Sequence, residues 1–447
     1  MRQSVRYVIP FFLCVAVVCS ASEPVDFDAL NRIRDEGLHR SQVMDLAWHL
    51  TERIGPRLTA SPGMRDAAEW SRETLASWGL RAYLESFEYG SGWSFSRSEV
   101  RMTAPVVVPL AAIPKAWTPG TDGPVRGRVV RADLSSEEDL ERWSGKLAGA
   151  VVLLDDAAEI DTAQEMFKRH DDKGLAALEA MEIPEERDRG EWRARRIERW
   201  KFWPTLAAFL ETEGVVALVD ASSRAHGVVR VWGGGGYGQP GRADGVPHIT
   251  MTAEHYNRIA RLVERGTDVE LELDLETTFY RDATTTSNVI ADFPGTDLAD
   301  EVVLVGAHLD SWHAGTGATD NGGNCAVVME AVRILHAAGL RPRRTIRVAL
   351  WTGEEQGFLG SRDFVARHVA SRPETTDPEQ LELPPTMREP TWPITPLDEH
   401  AKISAYYTLD CGAGRIRGIF AQENAAVVPI FSAWLEPLRD LGATTVS

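Results

Sequence analysis

The sequence predicts an α/β protein: a mostly parallel central sheet flanked by helices, with a second, α+β region inserted into it. Three observations carry this. First, the stretch from Glu301 to His368 holds two short apolar runs rich in β-branched residues, 302–305 and 345–351, each followed by a turn and a helical pattern. That order reads as strand–helix–strand–helix, with strands buried on both faces of a parallel sheet. Second, from about Ser98 to Leu275 the texture changes to short strands and turns. Third, 447 residues are too many for one ordinary core, so two domains are expected.

Taken in order, Ser41 is placed to cap a helix running to about Arg53, with Val43, Leu46, Ala47, Leu50 and Ile54 on one face. After the turn Gly55-Pro56-Arg57, a helix over 62–77 is stopped by Gly79, and 81–87 is extended. Within the inserted region, 106–113, 125–130, 148–154 and 215–219 are β-like, and 205–213 and 253–265 are helical. Residues 269–275 alternate leucine or valine with acidic residues, a strand with one wet face. The glycine run 233–236 lacks the flanking strand, helix and lysine of a phosphate loop and is expected to be a flexible turn. The charged segment 161–201 reads as a solvated helical excursion. Residues 287–293 return to strand character. Residues 373–396 form a proline-rich loop, 403–409 a further strand, and 425–438 a helix broken near Pro429 and Pro437.

Charge excludes one class of partner. With 48 basic and 66 acidic residues, a formal charge of −18, the chain lacks the basic face that nucleic acid requires. Residues 1–22 read as a secretory signal peptide: Arg2 and Arg6 precede an apolar run over 7–19, and Ser20-Ala21-Ser22 supplies small residues for cleavage. A lipoprotein anchor on Cys19 is the lesser reading, because Val18 is bulky there. The protein is therefore expected to be secreted or periplasmic, with no integral membrane segment after signal removal. Cys325 and Cys411 remain in the mature chain, as free buried thiols or as a bridge.

The chemistry gathers at strand ends. His308 and Asp310 follow the 302–305 strand, Glu354 and Glu355 follow 345–351, and Asp410 follows 403–409. Asp320 lies in a glycine-containing loop before the intervening helix. In open α/β sheets ligands bind at that edge, and a histidine with several carboxylates there is the pattern of a metal site. Each residue alone has an ordinary explanation: a surface His-x-Asp pair, a solvated helix start, a turn aspartate. Their coincidence on one edge favours the site. His308 is a nitrogen donor suited to zinc, Asp310 is placed to accept the other imidazole N–H, and a carboxylate at Asp320 can bridge two metals.

The segments GAHLDSW, GATDNGG and WTGEEQGFLGS resemble the signature segments of the co-catalytic zinc exopeptidases, the family of leucyl aminopeptidase, aminopeptidase Y and plasma glutamate carboxypeptidase. LTERIGPRLTASPGMRDAAEW is similar to the carboxypeptidase Q branch. The resemblance implies a zinc-exopeptidase domain formed by 23–97 and 276–447, interrupted by a protease-associated domain over 98–275. It implies two zinc ions, with His308 and Asp410 on the first, Asp320 bridging, Glu355 on the second, Asp310 behind His308, and Glu354 as general base. Substrates would be short peptides or dipeptides. The family also uses a histidine downstream of the Asp410 position, whereas none follows His400 here. The chain is therefore expected to be incomplete at its C-terminus, with weakened metal binding and little activity. Two alternatives stay open: an inactive receptor or scaffold on the same fold, and a glutaminyl cyclase-like acyl transferase. A homodimer and the preferred peptide terminus are equally open.

Overall fold

The structure is a computed structural model that describes residues 24–160, 170–180, 189–239, 241–410 and 412–447. The expected signal peptide, parts of the 161–201 excursion and Cys411 lie outside the described residues. Among the described residues, no helix is long and apolar enough to cross a membrane. The chain divides into two compact units. The larger comprises Arg32–Met166 and Glu186–Ala413; the smaller comprises Met1–Asn31, Phe167–Glu185 and Gly414–Ser447.

The chain opens with α1 (Phe27–His39), α2 (Val43–Trp48), which continues as a wider turn through His49–Ile54, and α3 (Pro62–Ser77). Ser61 caps α3 by accepting from Met64 N, and Gly79 beyond its end has φ +83°. Ser41 does not cap α2 itself; its Oγ accepts from Val43 N one residue out of register. Strands β1 (Arg81–Glu88), β2 (Gly92–Ala104), β3 (Val108–Leu110), β4 (Ala112–Pro114) and β5 (Val125–Arg131) precede α4 (Glu137–Trp143) and β6 (Ala150–Leu153). Then come α5 (Asp172–Glu179), α6 (Arg189–Glu213), β7 (Ala217–Ala221), β8 (His248–Met251), α7 (Ala253–Glu264), β9 (Glu270–Tyr280) and β10 (Thr285–Phe293). The run to the site is β11 (Leu298–His308), α8 (Gly323–Ala337), β12 (Arg344–Trp351) and α9 (Leu359–Phe364). Two short strands, β13 (Ala370–Ser371) and β14 (Thr395–Pro396), flank α10 (Pro378–Leu381) and are followed by β15 (Ile403–Thr408).

Besides the short pair β13-β14, the larger unit contains two larger sheets among the described residues. The first has the order β1-β10-β12-β11-β15. It is mixed rather than mostly parallel: β11 pairs parallel with β12 and β15, but β10 pairs antiparallel with both β12 and β1. Hydrophobic periodicity reports which residues are buried and carries no strand direction, so this correction could come only from the register. One face of the sheet packs on α2, α3 and α8 through Leu46, Leu50, Met64, Leu75, Met329 and Val332 against Val289, Val348 and Leu350. The other face carries Ile290, Leu304, Trp351 and Phe364.

The second sheet, β3-β2-β9-β5-β6-β7-β8-β4, lies in sequence between β1 and β10. Leucines 271, 273 and 275 of β9 are buried in its core with Tyr256 and Ile259 of α7. Val152 and Leu218 on the opposite face pack with Leu140 and Leu210. The glycine run 233–236 sits close-packed in the β7–β8 connection rather than as a free turn. Gly235 has φ +55°, and a Cβ there would stand 2.6 Å from Asp244 O. The smaller unit holds α5, α11 (Val428–Leu435) and the parallel pair β16 (Gly418–Ile419) and β17 (Thr445–Val446). Pro429 lies in the first turn of α11, where its missing N–H is tolerated, so it starts a helix instead of breaking one.

Candidate metal centre

The three parallel strands bring their carboxyl ends level. His308 is in register with Trp351, and Gly306 with Thr408. The polar residues just beyond therefore meet at one edge. His308 is buried, and its Nε2 lies 2.9 Å from Asp320 Oδ1, 3.2 Å from Asp410 Oδ1 and 3.9 Å from Glu354 Oε2. His308, Asp320 and Glu355 offer ligand atoms that all fall within 4.8 Å of one another. All six residues singled out from the sequence thus gather in one place.

His308 Nδ1 is 3.0 Å from the Asp310 carbonyl and 3.6 Å from its carboxylate. The carbonyl can only accept, so Nδ1 carries a proton; Nε2 faces the carboxylates, donating to them when protonated and offering its lone pair to a cation when it is not. Asp310 has a task the sequence reading did not assign. Fully buried, it accepts from Glu354 N and Glu355 N, both at 3.2 Å, and from Thr59 Oγ1 at 3.1 Å. It therefore fixes the turn that presents the two glutamates as well as backing His308. The glutamates diverge as neighbours on an extended turn must: Glu354 approaches His308, while Glu355 Oε2 accepts from Trp312 Nε1 at 2.7 Å.

Several supporting residues were not singled out from the sequence. Arg57, with no exposed surface, donates to five backbone carbonyls: Leu50, Gly55, Leu309, Thr316 and Gly317, at 2.7–3.1 Å. It ties the end of β11 to the loop that delivers Asp320. Asn321 Nδ2 donates to Leu409 O at 2.9 Å, and Asn324 Nδ2 to Gly412 O at 3.0 Å. These bonds hold the segment carrying Asp410 beside the start of α8. Cys325 is a free, buried thiol whose Sγ contacts His308 O at 2.9 Å. Burial pushes its pKa up to about 12, so it packs as a neutral thiol.

Electrostatics test whether these residues suit a cation. Burial, then the neighbouring carboxylates, push Glu354 up to about 7 and Glu355 up to about 8. Burial disfavours a charged His308, yet the bonds to Asp310, Asp320 and Asp410 outweigh it and hold its pKa far above the ordinary value. The hydrogen bond from His308 pulls Asp320 below its usual value. So many carboxylates around one buried imidazole call for positive charge at their centre. One imidazole with several carboxylates is a donor set suited to zinc, and the residues present fit such an ion.

Residues 288–378 match the family model described as "Peptidase family M28". This stretch is similar to the peptidase M28 family. It carries His308, Asp310, Asp320, Glu354 and Glu355, while Asp410 lies beyond it. Carboxypeptidase Q of Mus musculus is 40% identical over 131 residues, 29% of this chain and 28% of that protein. Leupeptin-inactivating enzyme 1 of Streptomyces exfoliatus is 41% identical over 88 residues, 20% of each chain. The chain thus spans 28% of the length of the mouse carboxypeptidase Q and 20% of that of the leupeptin-inactivating enzyme. The crystal structure of a peptidase M28 precursor from Shewanella amazonensis superposes with a TM-score of 0.58 at 24% identity, covering 94% of this chain and 81% of that one. That similarity extends the shared fold well beyond the M28 segment itself.

Proposed function

We propose that the protein is an exported zinc-dependent exopeptidase that hydrolyses terminal peptide bonds of short peptides or dipeptides. The observation that carries this reading is that Asp320 and Asp410 each approach His308 Nε2 to 3.2 Å or less, with Glu354 at 3.9 Å. His308, Asp320 and Asp410 would hold one zinc ion, and Asp320 with Glu355 would reach a second. When bound, zinc lowers the pKa of water and polarises a carbonyl. The remaining work falls to side chains. Glu354, with a pKa pushed up to about 7, takes a proton from the attacking water. The water oxygen bonds to the carbonyl carbon, the C–N bond breaks, and Glu354 returns the proton to the leaving amine. Asp310 keeps Glu354 and Glu355 in place through their backbone N–H groups, and Trp312 orients Glu355. The second sheet is read as the protease-associated domain of such enzymes, over 98–275, and the M28 similarity to carboxypeptidase Q supports the substrate class.

The test is Glu354→Gln. The variant should bind zinc like the parent by calorimetry and lose about 10²-fold or more of kcat on a dipeptide panel, in keeping with removal of a general base. Failure of the parent chain to bind zinc, or unchanged kcat in the variant, would reject the reading.

A further inference from the structure

Helix α6 rises from the most charged stretch of the sequence. Its C-terminal half is anchored in the second sheet, where Leu210 is buried with Val152 and Leu218 and where Phe202 and Leu206 pack on the same cluster. Its N-terminal half reaches the chain that follows the first sheet's helices. Arg193, half-buried, donates from Nε and Nη2 to Met387 O at 3.2 and 2.9 Å, from Nη2 to Gln380 Oε1 at 3.3 Å, and from Nη1 to Glu389 Oε1 at 3.2 Å. An exposed ion pair alone contributes little. Here three of the four bonds go to a backbone carbonyl and a side-chain amide, which a planar fork of donors fits and a point charge does not.

The segment that Arg193 grips, 377–389, is stiffened from within. Asp377 Oδ1 accepts from Glu379 N at 2.9 Å, and Gln380 Oε1 accepts from Glu389 N at 2.9 Å. Arg388 donates to Leu383 O at 2.8 Å and to Leu381 O at 3.1 Å, and Leu383 is buried. This segment rests on the turn of Glu354 and Glu355. A Cβ on Gly357 would stand 2.9 Å from Thr386 Cγ2 and 3.2 Å from Thr386 Cβ, so Thr386 sits directly on the Gly357 backbone.

That turn needs support. Gly357 has φ +117°, and Phe358, an exposed aromatic residue, has φ +62°. A bulky residue keeps a left-handed backbone only where its surroundings fix it. Gly357 N and Phe358 N both donate to Glu354 O, at 2.8 and 3.0 Å, so the turn closes back on Glu354. Asp310 fixes its first two residues through Glu354 N and Glu355 N, and Thr386 meets it at Gly357.

We propose that Arg193 is a positioning residue for the candidate metal centre. By clamping 377–389 to α6 it keeps Thr386 seated on Gly357, and so holds the turn that presents Glu354 and Glu355. The roles of those two glutamates rest on the exopeptidase reading above. The N-terminal half of α6 is then a buttress as well as a solvated surface, and it ties the inserted region to the centre.

The experiment is amide hydrogen exchange of the full chain without zinc, followed by zinc calorimetry. Arg193→Met keeps the apolar stem and removes the donors. The Gly357 and Phe358 amides should then exchange about tenfold or more faster than in the parent, while those of β9 keep the parent's rates. Arg193→Lys, able to keep one of the bonds, should lie between. Thr386→Ser removes only the methyl that meets Gly357 and spares every Arg193 bond. It should speed the Gly357 amide and leave 380–389 protected, and it decides the matter if Arg193→Met fails to fold. Zinc should bind Arg193→Met about tenfold more weakly. Parent-like exchange of Gly357 and Phe358 in Arg193→Met, or of Gly357 in Thr386→Ser, overturns the proposal. So does exchange raised equally throughout the chain, or zinc affinity unchanged despite a loosened turn. Because the exchange needs no metal, the failures separate. A parent that binds no zinc rejects the exopeptidase reading while exchange still decides the clamp; parent-like exchange in a chain that binds zinc rejects the clamp alone.

Discussion

Arg57 shows how one buried cation can organise a site it never touches. Among the described residues its guanidinium has no carboxylate partner, and it is satisfied by carbonyls drawn from three places in the chain. Replacing it with methionine would leave several of those carbonyls buried and unpaired, each a desolvation loss of about 1–3 kcal/mol where water cannot reach it. Arg57→Met is therefore expected to lower stability by about 3 kcal/mol in urea titration, and to weaken zinc about 10–100-fold because the Asp320 loop loses its anchor. Asp310→Asn should produce the same loss of zinc affinity with less effect on stability. The amide places a donor where Glu354 N, Glu355 N and Thr59 Oγ1 need acceptors. Unchanged zinc calorimetry in Asp310→Asn would show that the turn holds itself. None of the Arg57 network was legible in the sequence. The Gly55-Pro56-Arg57 turn is visible, but the carbonyls that receive Arg57 are brought together only by the fold. His308, Glu354, Glu355 and Asp410 were legible because they follow recognisable strands, where geometry leaves few alternatives, and Asp320 because a glycine-containing loop before α8 marks it.

At the scale of elements, the central strands could be read because they are short, β-branched and bounded by turns. Strand β2, by contrast, is thirteen residues long with a mixed burial pattern and pairs along most of β9, so its alternation is blurred by bulges. The glycine run 233–236 misled for a related reason. Composition suggests freedom, whereas the packing leaves no space for a Cβ. Gly360, at the start of α9, makes the same point beside the centre. Asn288 Nδ2 donates to Gly360 O at 3.0 Å, and Asn288 Oδ1 accepts from Thr352 N at 3.1 Å. A Cβ on Gly360 would collide with Asn288 Oδ1 and the Thr352 carbonyl. Gly360→Ala should therefore destabilise the protein by about 1–3 kcal/mol and weaken zinc, since the strained turn carries Glu354 and Glu355. A variant with the parent's denaturation midpoint would mean that Asn288 is free to move aside.

Within the larger unit, His313 joins the two sheets. It follows the end of β11, and its Nε2 lies 2.7 Å from Pro114 O on β4 of the second sheet. Because that oxygen only accepts, the neutral ring carries its proton on Nε2. Nδ1 is buried without a hydrogen-bond partner among the described residues, with Trp93 edge-on at 5.1 Å and Phe95 at 5.8 Å. Protonating Nδ1 would place an N–H and a charge among aromatic rings. Burial accordingly lowers the His313 pKa from 6.5 to about 4. A base depressed in the folded state contributes its full stability above the unfolded pKa of 6.5 and loses it as pH falls toward about 4, because the unfolded chain takes up the proton first. At about 1.36 kcal/mol per pH unit, that window is worth about 3 kcal/mol. His313→Gln keeps a donor for Pro114 O and removes the titration. Urea denaturation of the parent and His313→Gln at pH 7, 5.5 and 4 should give curves that converge as the pH drops, the parent losing about 3 kcal/mol more than the variant. Parallel curves would mean that acid weakens the protein elsewhere, and that the junction between the sheets does not depend on a neutral imidazole.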